Sequence, residues 1–185
     1  MARMISNGID VVTFLKEQHQ QIKAGFKEVL ATSGEPRRTA FYALRRLLAV
    51  HETAEEEIVH PAARKALSDG ESVVQARLEE ENAAKQVLSQ LEDMDVDSMD
   101  FEVQFTTLQA SVIAHAEAEE MEEFDRLGNQ MEPERLQKMR KAVTFAESIA
   151  PTRPHPGVES AAANMLAGPF ASMLDRARDA LTGKA

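Results

Sequence analysis

Six residues that can ligate a metal fall inside helical stripes that are otherwise apolar: His19, His51, Glu55, Glu81, His115 and Glu119. His51 and Glu55, and again His115 and Glu119, are four residues apart. On a helix that spacing stacks two side chains one turn apart on one face. Each HxxxE pair therefore aims an imidazole and a carboxylate at the same space. Two such helices in an antiparallel bundle supply two imidazoles and two carboxylates to one point in the core. His19 and Glu81, from the other two helices, complete a six-residue shell. Imidazole and carboxylate without sulfur suit iron, manganese or zinc better than copper(I) or calcium.

Charge argues for two ions rather than one. Three ionised glutamates in an apolar core repel one another and lose hydration, at several kcal/mol each, roughly. One divalent ion leaves such a cluster net negative, and two offset it. The arrangement this predicts has Glu55 and Glu119 bridging, His19 and His51 on one metal, and Glu81 and His115 on the other. Each metal then has four protein donors. An octahedral ion keeps about two positions for a solvent bridge and an external ligand. Open positions on a redox metal point to dioxygen, peroxide or nitric oxide as ligand.

The elements that must position this shell are helices. Residues 9–31 carry Val12, Leu15, Ile22, Phe26 and Leu30 in register with His19, and Asn7 or Asp10 offers an N-cap. Ser33-Gly34-Glu35-Pro36 is read as a break. Residues 37–67 carry Phe41, Leu44, Leu48, His51, Glu55, Ile58 and Ala62 in steps of three and four, with Pro61 expected to kink or end the regular part. Asp69-Gly70 is a turn. Residues 71–93 carry Val74, Leu78, Glu81, Leu88 and Leu91, and residues 99–128 carry Phe101, Phe105, Leu108, Val112, His115 and Glu119. No segment alternates with period two, so no sheet is expected. The fold class predicted is all-α, an antiparallel up-down-up-down four-helix bundle over 1–130. A C-terminal helical extension over 131–185 follows. It has a helix at about 133–148 opened by Pro133, a Pro-rich turn at 151–157 and a short amphipathic piece with Phe170, Leu174, Ala177 and Leu181.

Composition removes other classes. The chain has 185 residues, 43% hydrophobic and 28% charged, enough for one domain with a full core. A net charge of -10 opposes nucleic-acid and anionic-membrane partners. There is no cysteine, which excludes thiolate sites and fits a cytoplasmic setting. No stretch reaches the roughly 18 apolar residues of a membrane span. Oligomeric state leaves no mark in the sequence.

A lone helix-one histidine, HxxxE followed by a proline (His51 to Pro61), a helix-three ligand and a second HxxxE together resemble the hemerythrin or HHE cation-binding domain. The resemblance covers about residues 9–128. It implies a four-helix bundle around a non-haem di-iron centre with an oxo, hydroxo or carboxylate bridge. The cofactor expected is two iron ions, with manganese or zinc as substitutes. The family's roles carry over to His19, His51, Glu55, His115 and Glu119. Helix three departs from the pattern. The oxygen carriers use histidines there, whereas this chain reads LEEENAAKQVL, and Glu81 stands at the matching place. The extra carboxylate favours the ferric state. That speaks against a reversible dioxygen carrier and for a protein that senses or reacts with small oxidants. Two alternatives stand beside it: a peroxidase or catalase-like di-iron enzyme, and an iron-handling or sensor module acting through a protein partner.

Several neighbours are read as bystanders. Glu56, Glu57 and Glu120 lie about 100° per residue off the stripe and are expected as exposed charge, as are Glu79 and Glu80. His60 also lies off the stripe, and is given a surface or supporting place rather than ligation. Glu57 and His60 form one ExxH, but a ferritin-like site needs that motif twice. His155, between two prolines, is read as a loop residue.

Overall fold

The computed structural model describes residues 9–153. The sequence readings at Asn7, His155 and the 170–181 amphipathic piece lie outside the described residues, as does most of the 151–157 turn. All regular elements in the described residues are helical.

Helix α1 is Val11–Ala31. Asp10 caps it, its carboxylate accepting the Thr13 N–H at 2.8 Å, which satisfies one of the donors left open at a helix start. Helix α2 is Gly34–Ala54. The predicted break therefore shrinks to Thr32 and Ser33. Pro36 lies in the first turn of α2, where its missing N–H has no partner to lose. Gly34 has φ 62, a conformation that favours glycine. Its N–H donates to both Asp97 oxygens at 2.9 Å, tying this corner to the connector before the last rod.

Pro61 does not end the second rod. A wide turn, π1, covers Glu55–Val59, and helix α3 continues over His60–Ala66. Helix α4 is Gly70–Leu91. A Cβ on Gly70 would stand 2.4 Å from the Ala63 carbonyl oxygen, so the corner between α3 and α4 requires glycine there. Helix α5 is Met99–Glu119, capped by the Ser98 hydroxyl accepting the Phe101 N–H at 3.1 Å. A second wide turn, π2, covers Glu120–Phe124, and helix α6 follows over Asp125–Gln130. Pro61 lies just past π1, but the first proline after π2 is the distant Pro133, so proline alone does not explain these turns. The first starts on the glutamate of its HxxxE motif and the second one residue after it.

The rods form the expected up-down-up-down four-helix bundle, with α1 packed on α2 and α5, and α4 on α5 and α3. Helix α7, Pro133–Ile149, packs against α1, α2 and π1. The core is in two pieces. One holds Phe26, Phe41, Phe101 and Phe105 with Leu44, Leu48 and Leu88. The Phe101 and Phe105 rings stack at 5.4 Å. The other holds Leu15, Ala54, Val59, Phe124 and Leu127, and α7 adds Leu136, Met139, Val143 and Ala146 to it. Along each rod, residues of the two pieces flank a polar residue, as Leu15 and Ile22 flank His19. The polar layer is therefore enclosed between two greasy plugs, and burial of that apolar area, at roughly 25 cal/mol per Å², is what opposes the expense of desolvating it.

Candidate metal centre

The polar layer brings the sequence-predicted residues together in two groups. Ligand atoms of His19, His51, Glu55 and Glu119 lie within 4.8 Å of one another, as do those of Glu81, His115 and Glu52. A third group joins Glu119 to His60 and Glu123. All nine side chains are buried.

The histidines share one arrangement. Nδ1 of each is held by an oxygen acceptor: His19 donates to Glu120 at 2.9 Å, His51 to the Gln18 amide oxygen at 3.0 Å and His115 to Glu80 at 2.8 Å. Carboxylate and amide oxygens accept, so Nδ1 carries a proton and Nε2 is the nitrogen turned to the core, where its lone pair is available to an ion once any second proton has left. Acceptors behind the ring are the usual way a ligating histidine is oriented. Gln18 in turn donates to Glu147 of α7 at 2.6 Å, and Arg77 donates to Glu80 at 2.9 Å.

On the inner side, Nε2 of His19 and of His115 lie 3.4 and 3.3 Å from the same oxygen, Glu119 Oε2, and His51 Nε2 lies 3.3 Å from Glu55 Oε2. Two donors each about 2.0–2.2 Å from one ion are separated by about 2.8–3.1 Å in octahedral geometry and about 3.3–3.6 Å in tetrahedral geometry. The observed spacings match an ion held between the atoms.

The unsatisfied atoms point the same way. Nine buried atoms of this layer have no hydrogen-bond partner: His19 Nε2, His115 Nε2, one oxygen each of Glu52, Glu81 and Glu123, and both oxygens of Glu55 and of Glu119. Each costs about 1–3 kcal/mol when left so, which together rivals the whole stability of a domain, roughly 5–15 kcal/mol. Cations resolve that deficit. The donor set fits the iron, manganese or zinc chemistry expected of it.

Among themselves these groups shift one another's protonation. Burial, then Glu119, pushes the Glu55 carboxyl well above its ordinary value. Burial, then Glu81, pushes Glu52 up to about 8. Burial also raises Glu81, against the pull of His60. Burial would raise Glu119 as well, but the imidazoles of His115 and His19 hold it well below the carboxylate range. His51 is lowered to about 3 by burial and by His19. For His115 burial works downward and is outweighed by Glu119, so it rises well above the usual imidazole value. Protons do part of the work of a cation here, and a metal ion entering the layer displaces them.

Three readings of the sequence need correction. His60 is 1% exposed, not a surface residue: Nδ1 donates to Glu123 at 2.9 Å and Nε2 to Glu81 at 2.7 Å. The π1 turn is the reason. The His60 N–H bonds to the Glu55 carbonyl, five residues back, so His60 sits over Glu55 as an i+4 residue does in an α-helix. Glu56 is buried as well, bonded to the ammonium of Lys85, which also lies 3.7 Å from Glu81. Glu120 is half-buried and serves His19; exposed Glu80 serves His115. Two further site residues escaped notice. Glu123 continues the i+4 series from Glu119 and was legible. Glu52 directly follows His51 and gave no periodic signal.

The chain matches the family model described as the Hemerythrin HHE cation binding domain over residues 10–127. It belongs to that family. No curated protein and no solved structure matches it. The family is one of cation-binding helical bundles, and the buried histidine–glutamate layer is where this chain would hold its cations. Among the described residues, no helix is long and apolar enough to cross a membrane.

Proposed function

We propose that this protein holds two iron ions in the polar layer and uses them to react with or sense a small oxidant: dioxygen, peroxide or nitric oxide. The observation that carries this reading is the convergence of partnerless Nε2 and carboxylate oxygens at metal-bridging distances around Glu119. His19, His51 and Glu55 would hold one ion, Glu52, Glu81 and His115 the other, with Glu119 between them. Bound iron supplies an electron source and open coordination positions. The chain's own residues do the rest. Glu120, Gln18 and Glu80 fix the imidazole tautomers. The two apolar plugs exclude bulk water. Carboxylates dominate the second position, which favours the ferric state over reversible oxygen carriage.

A cavity of about 210 Å³ between α4 and α5 supports a reactive site over a structural one. Ala83, Ala84, Val87, Leu108 and Val112 line it together with the polar Glu80, Thr107 and Ser111, and its wall includes Glu52, Glu81 and His115. A small neutral molecule can reach the second position along it. The setting we propose is cytoplasmic, with a small molecule as the partner. A sensor reading is favoured by one contact, the His51–Gln18–Glu147 chain, which links the layer to α7.

Anaerobic loading with ferrous iron followed by peroxide tests the proposal. The expected result is two irons per chain, and after peroxide a magnetically coupled diferric Mössbauer spectrum. One iron or fewer per chain, or two uncoupled irons, would overturn it.

A further inference from the structure

Helix α4 brings no histidine to the layer, so the known ligand pattern leaves the second position with a single imidazole, that of His115. The structure places a fourth imidazole in the same buried layer. His60 enters from α3, turned inward by π1, and repeats the arrangement of the other three. Its Nδ1 is held by a carboxylate behind the ring, Glu123 Oε1 at 2.9 Å. Its Nε2 faces Glu81 Oε1 at 2.7 Å. Two donors in adjacent octahedral positions on one ion lie about 2.8–3.1 Å apart, so the present hydrogen bond is slightly shorter than a coordination edge and opens to one when an ion replaces the Nε2 proton. Glu81 Oε2 has no hydrogen-bond partner, and Glu81 belongs to the group with Glu52 and His115. His60 itself groups with Glu119 and Glu123, so it reaches the layer against Glu119, the carboxylate between the two ions, as well as against Glu81.

We propose that His60 is a metal ligand of this layer, supplying from the end of the second rod the imidazole that α4 lacks. The inference rests on the two-metal reading above. Ligation exchanges the Nε2 proton for the ion, releasing one proton to solvent, and leaves the Nδ1–Glu123 bond in place. Glu123 then orients His60 as Glu120, Gln18 and Glu80 orient the others. The charge count agrees. Glu52, Glu55, Glu81, Glu119 and Glu123 bring five carboxylates into the layer, so neutral imidazoles can serve as ligands without surplus positive charge.

Cobalt(II) is a suitable probe, because each imidazole bound to it gives one strongly shifted, solvent-exchangeable Nδ1–H proton resonance. The cobalt-loaded full chain is expected to show four such resonances. His60→Gln should show three at unchanged helical content, while His155→Gln, the remaining histidine, keeps four. Three resonances in the wild type, all retained in His60→Gln, would overturn the proposal while leaving the two-metal reading intact. Fewer than two bound cobalt ions and no shifted resonances would instead defeat the reading it rests on. Should His60→Gln fail to load, the wild-type count decides alone, and Glu123→Ala, which frees Nδ1 of its acceptor, should move one of four resonances and no other.

Discussion

Stripping the metal should make this protein sensitive to alkali, and the sign and size follow from the buried layer. Glu52 titrates near 8 in the folded metal-free chain, against an ordinary 4.5. Glu81, His115, Glu119 and Lys85 are the charged groups facing it. Between those values the folded state holds a proton that the unfolded chain has lost, so stability falls as pH rises. Each such group contributes about 1.4 kcal/mol per pH unit. His60 and His115 have folded values raised well above 6.5. Their stabilisation is full below 6.5 and is lost as pH rises, which has the same sign. His51 is depressed to about 3 and acts oppositely, but only below 6.5. Glu119, also depressed, acts only in acid. From pH 6.5 to 8 every term points down. Glu52 alone removes about 2 kcal/mol over that window, or roughly 4–8 °C in Tm for a chain of this size. Differential scanning calorimetry of chelated and iron-loaded protein at pH 6.5, 7.25 and 8 measures it. The loaded protein should be nearly flat, because cations hold the carboxylates ionised. Glu52→Gln should make the chelated protein less steep. A chelated protein whose Tm is level or rises over this range would refute the reasoning.

Three more outcomes follow from the geometry. Gln18→Leu removes the acceptor behind His51 and should weaken metal affinity about 10–100-fold in a chelator competition; unchanged affinity would show that the bond does not orient the ring. Ala84→Leu narrows the α4–α5 cavity, so azide should bind the loaded protein at least several-fold more slowly in stopped flow, at unchanged iron content. An unaltered rate would mean that ligand arrives by another path. Gly70→Ala forces a Cβ against the Ala63 carbonyl and should cost about 1–3 kcal/mol by overpacking in urea denaturation, with no change in the iron spectrum once loaded.

Most of the architecture was legible because its elements are α-helical, where a period near 3.6 maps sequence onto faces. The stripes through His19, His51, Glu81 and His115 needed nothing more. The failures occur where that period does not hold. At π1 the helix takes one extra residue, and His60 moves from an apparently outer face to the interior. Pro36 looked like a break but stands in the first turn of α2, where a proline is harmless. Glu56 looked like exposed charge because its partner, Lys85, comes from a different rod. Glu52 joins the layer from beside the stripe because four rods converge there, which widens the arc that counts as inside.

Anomalous diffraction at the iron edge from loaded crystals tests the central claim most directly. Two peaks about 3.5–4 Å apart are expected, one against His19, His51, Glu55 and Glu119, the other against Glu52, Glu81 and His115. A single peak, or iron seated away from this layer, would contradict the account.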